Sequence, residues 1–140
     1  MNALSRKPGW RARIDATIDQ YRRARFGYGD FDCAVFAAAG IEALTGERVG
    51  KAAWWKYRSA RGGASVIKKA GFVDLADMAA SLLPEIHPSQ AYVGDIAAIP
   101  SDGPFGWSLG VVGGERIFVL RETGLATVDL LTATRAFKVG

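Results

Sequence analysis

Apolar residues recur at helical spacing through the first half of the chain and in short strand-like runs after it. Trp10, Ile14, Ile18 and Tyr21 share one face of a helix predicted within residues 8–25, with Arg11, Arg13, Arg22 and Arg23 largely elsewhere. Pro8 suits the first turn of that helix, where its missing N–H is not needed. Gly27 and Gly29 interrupt the pattern and predict a loop over residues 26–31. Residues 32–44 are apolar almost all round, which predicts a buried central helix capped by Asp32 and stopped at Gly46 after Thr45. Residues 51–58 predict a short helix or irregular packing element, Gly62-Gly63 a break, and residues 64–70 and 74–83 two short helices, the second started by Asp74.

Glu85-Ile86-His87-Pro88 predicts a loop before the sheet. From Tyr92 the period changes. Residues 93–99, 107–112, 116–120, 125–130 and 135–139 read as short strands, separated by Pro100, Gly103, Pro104, Gly113-Gly114 and Gly124. Helices followed by strands predict an α+β fold with an antiparallel sheet of about five strands. Without a repeat or linker, residues 1–140 are expected to form a single domain, helical over about 8–83 and sheet over about 92–139.

Composition narrows the function classes. Hydrophobic residues make up 49% and charged residues 23%, a globular balance. The one cysteine, Cys33, excludes an internal disulfide, and with the one histidine, His87, it is too few for a four-ligand zinc site. No motif asks for a metal or cofactor; Gly46 to Lys51 has one residue too few between its glycines for a phosphate loop, and Gly110, Gly113 and Gly114 do not form a dinucleotide fingerprint. No apolar run reaches the roughly 18 residues of a membrane helix, and Met1 to Arg13 lacks the apolar stretch of a secretory signal. These features predict a soluble protein made in a reducing cytoplasm. The net charge of +4 is uneven: residues 1–70 carry 14 Lys/Arg against 6 Asp/Glu (+8), residues 71–140 carry 4 against 8 (−4). No nucleic-acid motif accompanies the basic half, so a charged protein interface or a solvated helix face ranks ahead of nucleic-acid binding.

Cys33 opens the buried helix just after a Gly-rich loop. A helix N-terminus favours a thiolate, as a nucleophile needs; equally, a lone buried cysteine often only fills a core. Asp32-Cys33-Ala34-Val35-Phe36 resembles the nucleophile motif of the NlpC-like cell-wall peptidases. Gly94-Asp95-Ile96-Ala97 resembles the opening of their first core strand, and Ser108-Leu109-Gly110-Val111-Val112-Gly113-Gly114 the next strand. More narrowly, Gly29-x-x-Asp32-Cys33-Ala34, Thr45-Gly46 and Gly94-Asp95 before Leu109-Gly110-Val111-Val112 resemble small phage tail proteins related to that family.

The resemblance spans residues 8–139 and implies a compact papain-like fold, the Cys33 helix packed on the sheet. It also implies a structural place in a virion tail tip or baseplate, made in the bacterial host cytoplasm. The implied partners are other tail proteins (hub, distal tail protein, tip or fibre protein), with peptidoglycan as a further one. In the alternative, the chain is an active cysteine peptidase or amidase that cleaves peptidoglycan through Cys33.

Ser108 stands where the resemblance expects the general-base histidine, and a hydroxyl cannot take a thiol's proton near neutral pH. The polar residue that would orient that base falls at Phe118, Val119 and Leu120, none of which can serve. His87, in its loop, is the substitute base to test. Trp54, Trp55, Tyr57 and Arg58, beside Lys51, Lys56 and Arg61, are the candidate partner-binding residues, able to meet an acidic surface.

Overall fold

Residues 4–140 are described by the structure, a computed structural model; Met1–Ala3 of the segment weighed as a leader lie outside the described residues. Among the described residues four helices, α1 (Trp10–Arg22), α2 (Cys33–Thr45), α3 (Ala60–Lys69) and α4 (Leu75–Leu82), pack on a six-stranded sheet. Its strands are β1 (Glu85–Ile86), β2 (Ile96–Pro100), β3 (Trp107–Val112), β4 (Arg116–Arg121), β5 (Gly124–Asp129) and β6 (Arg135–Phe137). All neighbours pair antiparallel, in the order β1-β6-β2-β3-β4-β5. The fold is α+β, as the sequence predicts.

Helix α2 forms where three local signals agree. Asp32 caps it by accepting from the Val35 N–H at 2.9 Å, the following residues are apolar, and the helix ends at Gly46. Phe36, Ala37, Ile41 and Leu44 are buried, and Ile96, Ala98, Leu109 and Val111 of β2 and β3 belong to the same core. Ala97, Val112 and Ile117, on the other face of the sheet, form a second small cluster with Ile99, Val128, Leu130 and Ala133. Ala91, beside the turn Pro88–Gln90, also packs there.

Three expectations are corrected. Gly62-Gly63 is no break: both lie inside α3, where the Ser59 side chain caps the Gly62 N–H at 3.0 Å. Gly63 lies so close to the Phe105 ring that a Cβ there would stand 2.6 Å from it; the missing side chain lets α3 approach. The sheet has six strands because Glu85–Ile86, expected in a loop, pairs with β6, and Glu85 is clamped by Arg135 through bonds of 2.7 and 3.0 Å. Helix α1 starts at Trp10, so Pro8 precedes its cap residue, Gly9, rather than sitting in the first turn. No described helix is long and apolar enough to cross a membrane.

Candidate functional site

The loop at residues 27–31 turns the chain into α2. Gly29 has φ +85°, and a Cβ there would collide with the Tyr57 carbonyl, so both its conformation and its surroundings require glycine. Asp32, with 0% exposure, collects three donors: Val35 N–H, Gly29 N–H (2.9 Å) and the Tyr57 hydroxyl. The aspartate of the Asp-Cys pair therefore fixes the helix start and the loop before it, with its carboxylate fully engaged.

Cys33 follows as the first residue of α2 and is buried. It lies at the floor of a cleft of about 350 Å³ at the ends of β2, β3 and β4, walled by Tyr28, Phe105 and Trp107, with Arg121 and Glu122 on the rim. Tyr28 stacks edge-on against Phe26 and Phe105, with centroids 5.0 and 5.9 Å apart.

Burial pushes the Cys33 thiol up to about 12; the neighbouring Asp32 charge pushes the same way, while backbone N–H groups, that of Leu109 foremost, oppose it. The favourable helix end read from the sequence is thus outweighed by desolvation. Burial favours the protonated thiol. Tyr28 is likewise raised, first by burial and then by the Glu122 and Cys33 charges.

This burial predicts a test. At pH 8 alkylation of Cys33 by iodoacetamide in the folded protein should run about 10³-fold slower than in urea, and should climb between pH 9 and 11. A rate already at its plateau below pH 8 would show an activated thiolate instead.

Ser108 reaches the cleft wall from the start of β3. Side chains alternate along a strand, so Ser108 shares its face with its partner Ile99 and with Val112, while Leu109 points into the core beside α2. No described hydrogen bond joins Ser108 to Cys33, and it is the Leu109 backbone N–H that acts on the thiol. Leu120 also lines the cleft, and Phe118 packs below the Arg22 guanidinium. His87 does not line the cleft. Exposed, it caps the 3-10 turn Pro88–Gln90, its Nδ1 accepting from the Ser89 N–H at 3.1 Å and lying 2.7 Å from the Ser89 hydroxyl.

The candidate partner-binding residues divide. Tyr57 is 7% exposed and its hydroxyl serves Asp32, which removes it from any docking surface. Trp54 and Trp55 are half-buried on the 3-10 turn Ala52–Trp55, and Arg58 is exposed. Tyr28, Phe105, Trp107, Arg121 and Glu122 were not singled out from the sequence. Aromatics beside turn glycines at Gly27-Tyr28-Gly29 and Phe105-Gly106-Trp107 were the available signal. Among the described residues no group of three or more His, Cys, Asp or Glu side chains is placed to hold a metal.

A family model described as a domain of unknown function (DUF6950) matches residues 5–139. No curated protein matches the chain. Among solved structures, the NlpC/p60 domain of the peptidoglycan hydrolase SagA is similar with a TM-score of 0.55 and 17% identity, over 91% of this chain and 97% of that one. At that identity the likeness is one of fold alone.

Proposed function

This chain belongs to the family described as a domain of unknown function (DUF6950), and on that premise we propose that it is a non-hydrolytic, structural component built on an NlpC-like fold. One observation carries the proposal: the residues lining the Cys33 cleft include no imidazole and no amine to take the thiol's proton, while the thiol itself is pushed up to about 12. Glu122 and Arg121 stand on the rim, and no described hydrogen bond joins either to the thiol. Asp32 has no free role, since three donors already occupy it.

We place this component in the tail tip or baseplate of a phage or phage-like particle, docked to other tail proteins. That finer assignment is supported by the resemblance of Gly29-x-x-Asp32-Cys33-Ala34, Thr45-Gly46 and Gly94-Asp95 to small phage tail proteins. The competing reading, a peptidoglycan-cleaving cysteine peptidase, is favoured by one feature: the backbone N–H groups at the thiol, which oppose its desolvation.

Incubating purified protein and its Cys33→Ala variant with peptidoglycan separates the two readings. The expected result is no released stem peptide from either folded protein, together with the chain's presence in purified tails. Turnover lost in Cys33→Ala would establish the peptidase, and tails lacking the chain would remove the tail assignment.

A further inference from the structure

Residues 51–69 carry six cationic side chains, Lys51, Lys56, Arg58, Arg61, Lys68 and Lys69, and no Asp or Glu. All six are exposed, and none takes part in a described ion pair, whereas Arg6, Arg22, Arg48 and Arg135 each have a carboxylate partner. The turn Ala52–Trp55 packs against α3, which brings Lys51 and Lys56, at the ends of the turn, near the helix that carries Arg61, Lys68 and Lys69; Arg58 donates to the Tyr57 carbonyl (2.7 Å). At the end of α3 the Gly71 N–H bonds the Lys68 carbonyl (3.0 Å) and the Phe72 N–H bonds the Ile67 carbonyl (3.1 Å). That reversal brings out Val73, 84% exposed, beside the helix end that bears Lys68 and Lys69. Phe72 meets Trp54 edge-on at 5.7 Å, so the rim also holds half-buried aromatic surface.

We infer that the face formed by the Ala52–Trp55 turn and α3 docks an acidic protein segment that carries apolar side chains between its carboxylates. The inference rests on the reading of this chain as a docking component. Four lysines and two arginines without a carboxylate partner, half-buried aromatics, and an exposed valine whose N–H bonds Asp77 (3.1 Å) complement a segment that brings both carboxylates and apolar groups. A nucleic-acid backbone would satisfy the cations but offer Val73 nothing, and the Trp54 ring, held between Phe72 and Gly50, is not free to stack on a base. One valine is too little apolar surface to anchor the face in a lipid layer.

The test uses three probes near 0.15 M salt, where long-range charge effects are largely screened: a labelled peptide of glutamates interspersed with leucines, an all-glutamate peptide of the same length, and duplex DNA. The mixed peptide is expected to bind best. The triple variant Lys51→Glu, Lys56→Glu, Arg61→Glu should weaken it about tenfold or more. A glutamate at 61 falls in the first turn of α3, where the helix dipole favours it, so folding is not penalised there; circular dichroism checks this. Val73→Ser should cost a few-fold.

A second triple, Arg13→Glu, Arg23→Glu, Arg25→Glu, makes the same change in net charge on and just after α1, outside residues 51–73, and should leave binding nearly unchanged. Tighter binding of DNA than of the mixed peptide, equal losses in the two triples, or no peptide binding would each overturn the inference. None of these readouts depends on Cys33. A chain that binds the peptide yet releases stem peptides would keep this inference and lose the non-hydrolytic reading; the reverse pattern would do the opposite.

Discussion

Asp32→Ala is expected to lower the stability of the protein by about 3–5 kcal/mol in urea unfolding, a large share of the total for a chain of this size. The variant removes the cap of α2, worth about 1 kcal/mol. It also strands two donors that have no other described acceptor, the Gly29 N–H and the Tyr57 hydroxyl, at about 1–3 kcal/mol each. Asp32→Asn is expected to cost less, about 2 kcal/mol: its carbonyl oxygen keeps the Val35 bond, while its amide turns a second donor toward Gly29. Tyr57→Phe alone should cost about 1–2 kcal/mol, and in a double-mutant cycle with Asp32→Asn the two losses should fall short of additive by about 1 kcal/mol. An Asp32→Ala variant within 1 kcal/mol of the parent would show that the carboxylate is kept for chemistry and not for structure, and would reopen the peptidase reading.

Tyr57 shows why the site was only partly legible in the sequence. Helix α2 was readable because its cap, apolar run and glycine stop are neighbours along the chain. The bond from Tyr57 to Asp32 spans 25 residues, and no local pattern announces it, so Tyr57 read as a surface aromatic. The sheet follows the same division. Turn residues announced the strands from Ile96 onward, but β6, the last to form along the chain, inserts between β1 and β2, and β1 is only two residues long. Neither fact has a periodic signature.

At Cys33 the sequence supplied the helix end and its dipole. It did not supply the burial that reverses their effect, because burial is set by β3 and β4, more than 70 residues away. The face of β3 that Ser108 occupies likewise depends on register, which a one-residue shift inverts.

The second motif aspartate, Asp95, leads to the other large effect. Asp95→Ala is expected to cost about 3–5 kcal/mol and Arg6→Ala about 2–3, an order that follows from what each leaves behind. Asp95 is 2% exposed and accepts from the Tyr92 N–H (2.8 Å), the buried Val139 N–H (2.9 Å) and the Arg6 guanidinium (3.1 Å). Removing it strands a buried amide and leaves a guanidinium without its anion. Removing Arg6 leaves Asp95 with both amides still donating, but frees the carbonyls of Val93 and Val139, bonded by Arg6 at 2.6 and 2.9 Å. It also frees the Trp10 ring over which Arg6 stacks at 4.4 Å.

Arg6→Lys should recover less than half of the loss, since an ammonium cannot present a planar fork to three acceptors and stack at once. Hydrogen exchange gives the readout that a merely global loss would not: the Val139 amide should lose protection first in Asp95→Ala and not in Arg6→Lys. Because Lys7 N–H bonds the Leu44 carbonyl at 2.8 Å, this clasp ties the end of α2 to the start of β2 and the last residues of the chain. The Gly-Asp pair that resembles a peptidase motif thus serves the fold, as the aspartate beside Cys33 does. Loss of stability in Asp95→Ala with an unchanged alkylation profile at Cys33 would place the clasp outside the cleft's chemistry, and a changed profile would join the two.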